Sequence, residues 1–168
     1  RDAGVKLVPY FCIQRITTDA PELQPYLPEW QVHPVTSIGS IRGGSVLACV
    51  RSSFADYVTY AAGRIVDELG FDGLYLDVSN VQACRNGHHG CGWTDAEGNR
   101  HPTVNIFDSR RVYKRLYRLF KAPGREAVLF RHGMPAAACA GFVDVVTQGE
   151  DWCREGMNQY DRLTPEVF

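Results

Sequence analysis

The sequence predicts an α/β fold built on parallel strands, most simply a partial (β/α) barrel of about four βα units with long βα loops. Short apolar runs alternate with segments whose apolar residues recur at helical spacing. Several of the apolar runs end in polar side chains, as strands do at the ligand-binding edge of α/β folds. A complete barrel has eight strands, so four would make about half of one. A small doubly wound open sheet is the alternative.

Composition limits the class of protein. The chain has 168 residues, of which 45% are hydrophobic, so we expect residues 1–168 to be part of a single (β/α)-barrel domain of catalytic type. The net charge of -1 gives no reason to expect nucleic acid or an anionic membrane as partner. No apolar run approaches the roughly 18 residues of a membrane span. The chain starts at Arg1 without a signal peptide, so we expect a piece of a longer chain that supplies the rest of the barrel, in a compartment left open.

The first third of the sequence predicts a strand followed by a long loop. Residues 5–12 form an apolar run after a glycine, which indicates the first strand. Residues 13–52 are interrupted by four prolines and predict an irregular segment, with one short strand at residues 45–50. Trp30 within it is interpreted as the packing centre of the loop rather than as a sugar platform.

The middle of the chain predicts a helix and the strand that carries the chemistry. Residues 53–69 show one apolar helical face, with Ser53 as N-cap and Asp56 completing a capping-box pattern. Residues 72–79 form a short apolar run bounded by Gly70, which indicates a buried parallel strand. Asp77 stands at its C-terminal end.

The last third predicts one helix and two strands. The helix covers residues 108–121, with Asp108 or Ser109 as N-cap; its basic side chains are interpreted as a solvated face rather than a nucleic-acid surface. A strand at residues 127–132 ends in His132. After a short helix or turn at residues 135–140, a final strand at residues 142–147 precedes two acids, Glu150 and Asp151.

Two carboxylates at the ends of nearby strands are the minimal machinery of glycoside hydrolysis. We assign Asp77 as nucleophile or electrostatic stabiliser and Glu150 as general acid/base, with Asp151 in reserve for Glu150. Carboxyl groups about 5–5.5 Å apart would retain anomeric configuration, and groups about 6.5–9.5 Å apart would invert it. The alternative is that Asp77 only hydrogen-bonds the loop that follows it.

Other side chains near the predicted strand ends could contact a sugar. Aromatic rings stack on the apolar faces of sugars, while imidazole and amide groups bond to hydroxyls. The candidate substrate-binding residues are Tyr10, Tyr75, Asn80, His89, Trp93, His132 and Trp152.

Four segments carry a resemblance to known proteins. These are Gly-Phe-Asp-Gly-Leu-Tyr-Leu-Asp at 70–77, the Cys-His loop at 84–93, the basic run at 110–117 and Gly-Glu at 149–150. Over residues 5–168 the chain resembles glycoside-hydrolase-like TIM-barrel proteins of uncharacterised bacterial families. These are similar to glycoside hydrolase family 123 and to the endo-α-N-acetylgalactosaminidase barrels.

The resemblance implies roles for the acids. The chain also resembles the α-galactosidase clan, in which an Asp ending the fourth strand is the nucleophile and an acid ending the sixth strand is the acid/base. If the first strand here matches the third of that barrel, Asp77 ends the fourth, and Glu150 or Asp151 ends the sixth. Family 123 instead uses an adjacent Asp-Glu pair with the N-acetyl group of the substrate as nucleophile, whereas this chain has Glu-Asp at 150–151.

The loop after the Asp77 strand holds Cys84, His88, His89 and Cys91. A Cys84–Cys91 disulfide is the favoured interpretation if the protein is secreted or periplasmic. Two free thiols come next, followed by a zinc site, because the spacing matches no common zinc motif. We therefore expect no metal and no other cofactor.

Three functions follow from these patterns. The first is a hydrolase acting on O-glycosidic bonds of a glycan, which makes carbohydrate the expected partner. The second is a non-catalytic carbohydrate-binding barrel, in which the acids only hydrogen-bond sugar hydroxyls. The third is a metal-dependent hydrolase that uses the Cys-His loop.

Overall fold

The computed structural model describes residues 4–34 and 44–147. Its helices and strands follow in this order: β1 (Tyr10–Cys12), β2 (Arg15–Thr17), α1 (Leu23–Trp30), β3 (Ser45–Leu47), α2 (Phe54–Asp67), β4 (Gly73–Asp77), β5 (Ala83–Cys84), a 3₁₀ turn (Gly87–His89), β6 (Trp93–Thr94), β7 (Arg100–His101), β8 (Thr103–Val104), α3 (Ile106–Phe120), β9 (Val128–His132), α4 (Ala137–Ala140) and β10 (Val145–Thr147).

Four parallel strands form the central sheet, in the order β1-β4-β9-β10. Each neighbour in the sheet is the next of these strands along the chain, with α2 and α3 in the crossovers between the first three. The order does not reverse, as it would at the switch point of a doubly wound sheet, and it agrees with strand succession in a (β/α) barrel. The predicted parallel α/β class is confirmed.

The two faces of this sheet differ in burial. On one face, Leu74, Leu76 and Leu129 are fully buried and belong to the main hydrophobic core with residues of α2 and α3. The opposite face carries the alternate side chains of each strand, and Tyr10 there is 60% exposed while Asp77 is partly exposed. Alternation along the strands thus separates a packed face from a wetter one.

The long segment after β1 contains more regular structure than the sequence predicts. It has an antiparallel pair, β2 with β3, and the helix α1. Trp30 at the end of α1 is 3% exposed and lies against Tyr26 and Phe54, so its interpretation as a packing centre is confirmed. The irregular loop predicted for this segment is therefore wrong over α1, although its short strand is present.

The connection from β4 to α3 contains four two-residue strands and one 3₁₀ turn. β5 pairs with β8 and β6 pairs with β7, both antiparallel, and the 3₁₀ turn lies between β5 and β6. Asp95 and Asn99 close the predicted turn between β6 and β7 through side-chain and main-chain hydrogen bonds. Among the helices described, none is long and apolar enough to cross a membrane.

Candidate functional site

Asp77 lies where three parallel strands end. Its Oδ1 accepts a hydrogen bond from the Val78 amide at 2.7 Å, and its Oδ2 accepts one from the Tyr10 hydroxyl. The His132 Nδ1 lies 3.4 Å from Oδ1. Tyr10 belongs to β1, Asp77 to β4 and His132 to β9, so the register of the sheet brings these three predicted residues together.

Tyr10 is held as a hydrogen-bond donor to this carboxylate. Burial raises the pKa of Tyr10 above its usual value, and the hydrogen bond to Asp77 raises it further. The phenol therefore keeps its proton at neutral pH and can orient the carboxylate without adding charge. The Cys12 thiol lies 3.6 Å from the same hydroxyl, and burial raises the pKa of Cys12.

Aromatic rings line the sheet beside the carboxylate. The Tyr75 ring lies between the Tyr10 ring, with centroids 5.8 Å apart, and the His132 ring at 6.2 Å. The Tyr75 hydroxyl accepts a hydrogen bond from Thr147 Oγ1 at 3.3 Å. This row of rings gives a sugar an apolar surface next to a carboxylate.

The backbone immediately after Asp77 is in an unusual conformation. Val78 has a φ of 44°, in the left-handed region that a β-branched residue rarely occupies. Such residues persist where the surrounding structure fixes them, and they concentrate at functional sites. Here the conformation lets the Val78 amide point back at the Asp77 carboxylate.

Asn80 follows Asp77 by three residues and is held by a buried arginine. Its Oδ1 accepts a hydrogen bond from Arg131 at 2.6 Å, and Arg131 also donates to the carbonyl of His132 at 2.7 Å. Arg131 was not singled out from the sequence, because an arginine inside an apolar run has no signal that distinguishes a buried side chain from an exposed one.

The predicted Cys84–Cys91 disulfide is wrong, since both cysteines are free. The Cys84 sulfur instead faces His89 Nε2 at 3.4 Å, and the Cys91 sulfur faces that of Cys49 at 3.9 Å. The reason is that each cysteine contacts a different residue. Cys49, which follows β3, lies opposite Cys91, and His89 lies opposite Cys84. Sequence spacing gave no indication of Cys49, because 35 residues separate it from Cys84.

The pKa values of the neighbouring Cys49, Cys84 and His89 side chains shift in different directions. A hydrogen bond from the Cys49 thiol lowers the pKa of Cys84 well below its usual value, with His89 and the Asn86 amide acting in the same direction. The same bond to Cys84, followed by burial, raises the pKa of Cys49. Burial lowers the pKa of His89, but the hydrogen bonds to Cys84 and to the Glu29 carbonyl together outweigh it, so the net direction is upward.

The remaining predicted residues are not part of the Asp77 cluster or fall beyond the described structure. His89 lies with the cysteines rather than with Asp77. Trp93 is exposed on the β6–β7 pair, where its ring stacks on His101 with centroids 4.5 Å apart. Glu150, Asp151 and Trp152 lie outside the described residues.

Comparison with known proteins identifies the fold. No family model matches the sequence, and no curated protein matches it significantly. Among solved structures, the chain is similar to an α-galactosidase from Thermus thermophilus in complex with stachyose (TM-score 0.58, 17% identity, covering 86% of this chain and 28% of that one). It is also similar to the maltogenic α-amylase AmyB from Thermotoga neapolitana (TM-score 0.56, 12% identity, covering 91% and 30%).

A third match extends the set to a transferase. The chain is similar to a cycloisomaltooligosaccharide glucanotransferase from Paenibacillus (TM-score 0.53, 12% identity, covering 78% of this chain and 19% of that one). The galactosidase and the amylase are TIM-barrel glycosidases, of which this chain spans less than a third. At these identities the likeness shows a glycoside-hydrolase-like fold and nothing finer.

Proposed function

We propose that this chain is part of a (β/α)-barrel glycoside hydrolase that cleaves O-glycosidic bonds with two carboxylates, Asp77 and Glu150. The observation that carries the proposal is the position of Asp77. It ends the second strand of the parallel sheet, on the partly exposed face, with Tyr10 and His132 against its two oxygens. A carboxylate at the C-terminal end of a barrel strand is where this fold carries its chemistry.

The fold comparisons support the class of reaction. Three matched structures with TM-scores above 0.5 are, by their titles, an α-galactosidase, a maltogenic α-amylase and a glucanotransferase. All three act on glycosidic bonds of carbohydrates. Fold alone does not fix function, so the weight of the proposal stays on the side chains around Asp77.

In the proposed reaction the Asp77 carboxylate attacks the anomeric carbon of the sugar. The bond to the leaving oxygen breaks, and Glu150 gives that oxygen its proton. Glu150 then takes a proton from water, which displaces Asp77 and releases the sugar with its configuration retained. The Tyr10 hydroxyl holds Asp77 in position, and Tyr75 offers a face on which the sugar ring can stack. Asp151 remains the reserve for Glu150.

The exposed face of the sheet supports the partial barrel. Parallel sheets are normally covered on both faces, and in a closed barrel the second face becomes the interior. Here that face carries Tyr10, Tyr75 and Asp77, and it is the less buried of the two. We propose that further strands of the same longer chain complete the barrel around it.

The test is hydrolysis of p-nitrophenyl α- and β-glycosides of galactose, glucose and N-acetylgalactosamine by the full-length protein. Asp77→Asn and Glu150→Gln should each lower kcat/KM, the first by about a thousandfold or more and the second by about 10²–10⁴-fold. Both substitutions are nearly isosteric, so circular dichroism should show an intact fold. Asp56→Asn removes a carboxylate from the exposed side of α2 and should leave the rate unchanged.

A labelled intermediate separates the two carboxylate roles. A 2-deoxy-2-fluoro galactosyl fluoride should inactivate the enzyme and add its sugar to the peptide that contains Asp77, as read by mass spectrometry. Turnover of either variant at the wild-type rate would overturn that residue's assignment. If the folded wild-type protein hydrolysed no glycoside of the panel, the proposal that it is a glycoside hydrolase would be overturned.

A further inference from the structure

Three cysteines and one histidine from two separate loops meet away from the Asp77 cluster. Cys49 follows β3, Cys84 ends β5, His89 closes the 3₁₀ turn, and Cys91 comes two residues later. One ligand atom from each lies within 4.8 Å of all the others. The three cysteines are at most 1% exposed. A single buried cysteine usually packs as a small apolar side chain. That role does not explain why three cysteines and a histidine converge on one point.

Two distances within the cluster match the edges of a tetrahedral zinc site. Zinc bonds of about 2.3 Å to sulfur and 2.0–2.1 Å to nitrogen give tetrahedral edges of roughly 3.8 Å between sulfurs and 3.6 Å between sulfur and nitrogen. The Cys49 and Cys91 sulfurs are 3.9 Å apart, and Cys84 Sγ is 3.4 Å from His89 Nε2. A disulfide would need the sulfurs about 2.05 Å apart.

The histidine presents the nitrogen that a metal needs. His89 Nδ1 lies 2.6 Å from the carbonyl oxygen of Glu29, which can only accept a hydrogen bond, so Nδ1 carries a proton. In the neutral ring Nε2 then has a free lone pair, and it is Nε2 that faces Cys84. Metal-bound histidines commonly have this second hydrogen bond to a carbonyl, which fixes tautomer and ring orientation.

Each of the three sulfurs has a hydrogen-bond donor beside it, and Cys91 Sγ also lies 3.4 Å from the acceptor Asn105 Oδ1. The main-chain amides of His33 and Asn86 point at the Cys84 sulfur, 3.5 and 3.4 Å away. The buried Asn105 amide lies 3.1 and 3.3 Å from the sulfurs of the other two cysteines. Such donors stabilise a thiolate, and a cation between the sulfurs would let all three buried cysteines lose their protons without repelling one another.

We propose that Cys49, Cys84, His89 and Cys91 bind one zinc ion in a closed, structural site. Thiolate and imidazole ligands in a tetrahedral arrangement select zinc among the common divalent ions. All four positions are filled by protein side chains, so no position is left for a catalytic water. The ion would take the place of the Nε2 proton of His89 and the thiol protons of the cysteines.

The site joins two loops on the same side of the sheet. Cys49 belongs to the connection from β1 to α2, and the other three ligands belong to the connection from β4 to α3. β1 and β4 are adjacent parallel strands, so both connections leave from the edge at which Asp77 lies. Zinc would fix these two loops to each other, whatever reaction the Asp77 cluster carries out.

The test is the metal content of the full-length protein, purified without a tag or chelator and measured by plasma mass spectrometry. We expect one zinc per chain. Cys84→Ser and Cys91→Ser should weaken zinc binding by more than the roughly 10–100-fold that is lost when a residue hydrogen-bonded to a ligand is removed. Cys139→Ala, at a buried cysteine of the main core, should keep the full zinc content.

Spectroscopy on the wild-type chain gives a result that does not depend on any variant folding. Cobalt(II) added to reduced, metal-free protein should give thiolate charge-transfer bands and the intense visible bands of a tetrahedral ion. X-ray absorption of the zinc form should fit three sulfurs and one nitrogen. Absence of zinc after titration of the reduced protein with zinc sulfate, iron or copper in its place, or an oxygen-dominated shell would overturn the proposal.

Discussion

Arg131 is a buried cation that ties together the two loops beside Asp77. It is 1% exposed, and its guanidinium donates to the Tyr113 hydroxyl, to the carbonyls of His132 and Gly133, and to Asn80. The fork of five N–H groups reaches all of these neutral acceptors at once, which an ammonium cannot do. Arg131 therefore fixes the strand end of β9 relative to the loop after β4.

We expect Arg131→Lys to lower the free energy of unfolding by about 2–4 kcal/mol, because buried acceptors lose their donors while the charge stays buried. Urea denaturation followed by circular dichroism measures the change. Arg118→Lys, the same substitution at an exposed position of α3, should change stability by less than about 0.5 kcal/mol. Equal effects at both positions would show that the network at Arg131 contributes no stability.

The sequence predicted those residues of the site that a single local pattern can identify. Asp77 and His132 each follow an apolar run, so their meeting at one edge could be expected from strand polarity alone. Cys49 could not be predicted as the partner of Cys84 and Cys91, because what brings it there is the packing of two long loops. Interpreting the Cys-His loop by its own spacing therefore led to a disulfide that the structure contradicts.

The paired strands β4 and β9 approach each other so closely that one position must lack a side chain. A Cβ built on Gly73 would overlap the Val128 carbonyl oxygen and lie 2.8 Å from the carbon that bears it. Both residues are in the β4–β9 pairing, where Gly73 is opposite Val128. The pairing of the two central strands thus depends on this glycine.

Gly73→Ala should cost about 3 kcal/mol or more, because the new methyl group must push two paired strands apart. Thermal denaturation followed by circular dichroism would register the loss as a lower Tm. Gly141→Ala is the matched control: its φ is -74° and a Cβ there meets no atom within 4 Å, so we expect little change. A Gly73→Ala protein as stable as this control would mean that the two strands can separate at low cost.

Two helices begin without the side-chain N-cap that their sequences offer. Ser53 and Asn105 stand at the N-caps of α2 and α3, yet neither side chain caps its helix. The Ser53 hydroxyl donates to Glu29 and accepts from Trp30, and the Asn105 amide faces the cysteine sulfurs. The sequence predicted both helices and placed the start of α3 two residues late, because it took Asp108 or Ser109 as the cap.

The helix α1 was not predicted at all. Pro25 and Pro28 argue against a helix from sequence alone, and eight residues are too few for one that stands by itself. Tertiary contacts form it nonetheless, since Tyr26 and Trp30 stack with centroids 4.8 Å apart and Trp30 meets Phe54 of α2. Such contacts between distant segments have no local signature.

The long βα loops are as much a part of the structure as the parallel sheet. The connections from β1 to α2 and from β4 to α3 together hold more residues than the four parallel strands. Their second, smaller core consists of Val32, Cys49, Cys84 and Cys91, separate from the core beneath the sheet. Four small residues bury little apolar area, so this second core needs another source of stability.

Zinc at this second core should stabilise the whole chain, because the ion binds the folded loops and no such site exists once they unfold. At free zinc a thousandfold above Kd the gain is about 4 kcal/mol. In a domain of 150–250 residues that gain corresponds to a Tm higher by roughly 10 °C, and in a longer chain the shift is smaller. Scanning calorimetry of reduced protein stripped with EDTA should show that drop, reversed by one equivalent of zinc sulfate. Cys84→Ser should have the low Tm and no response to zinc. If zinc left the wild-type Tm unchanged, the cluster would not be joining the loops.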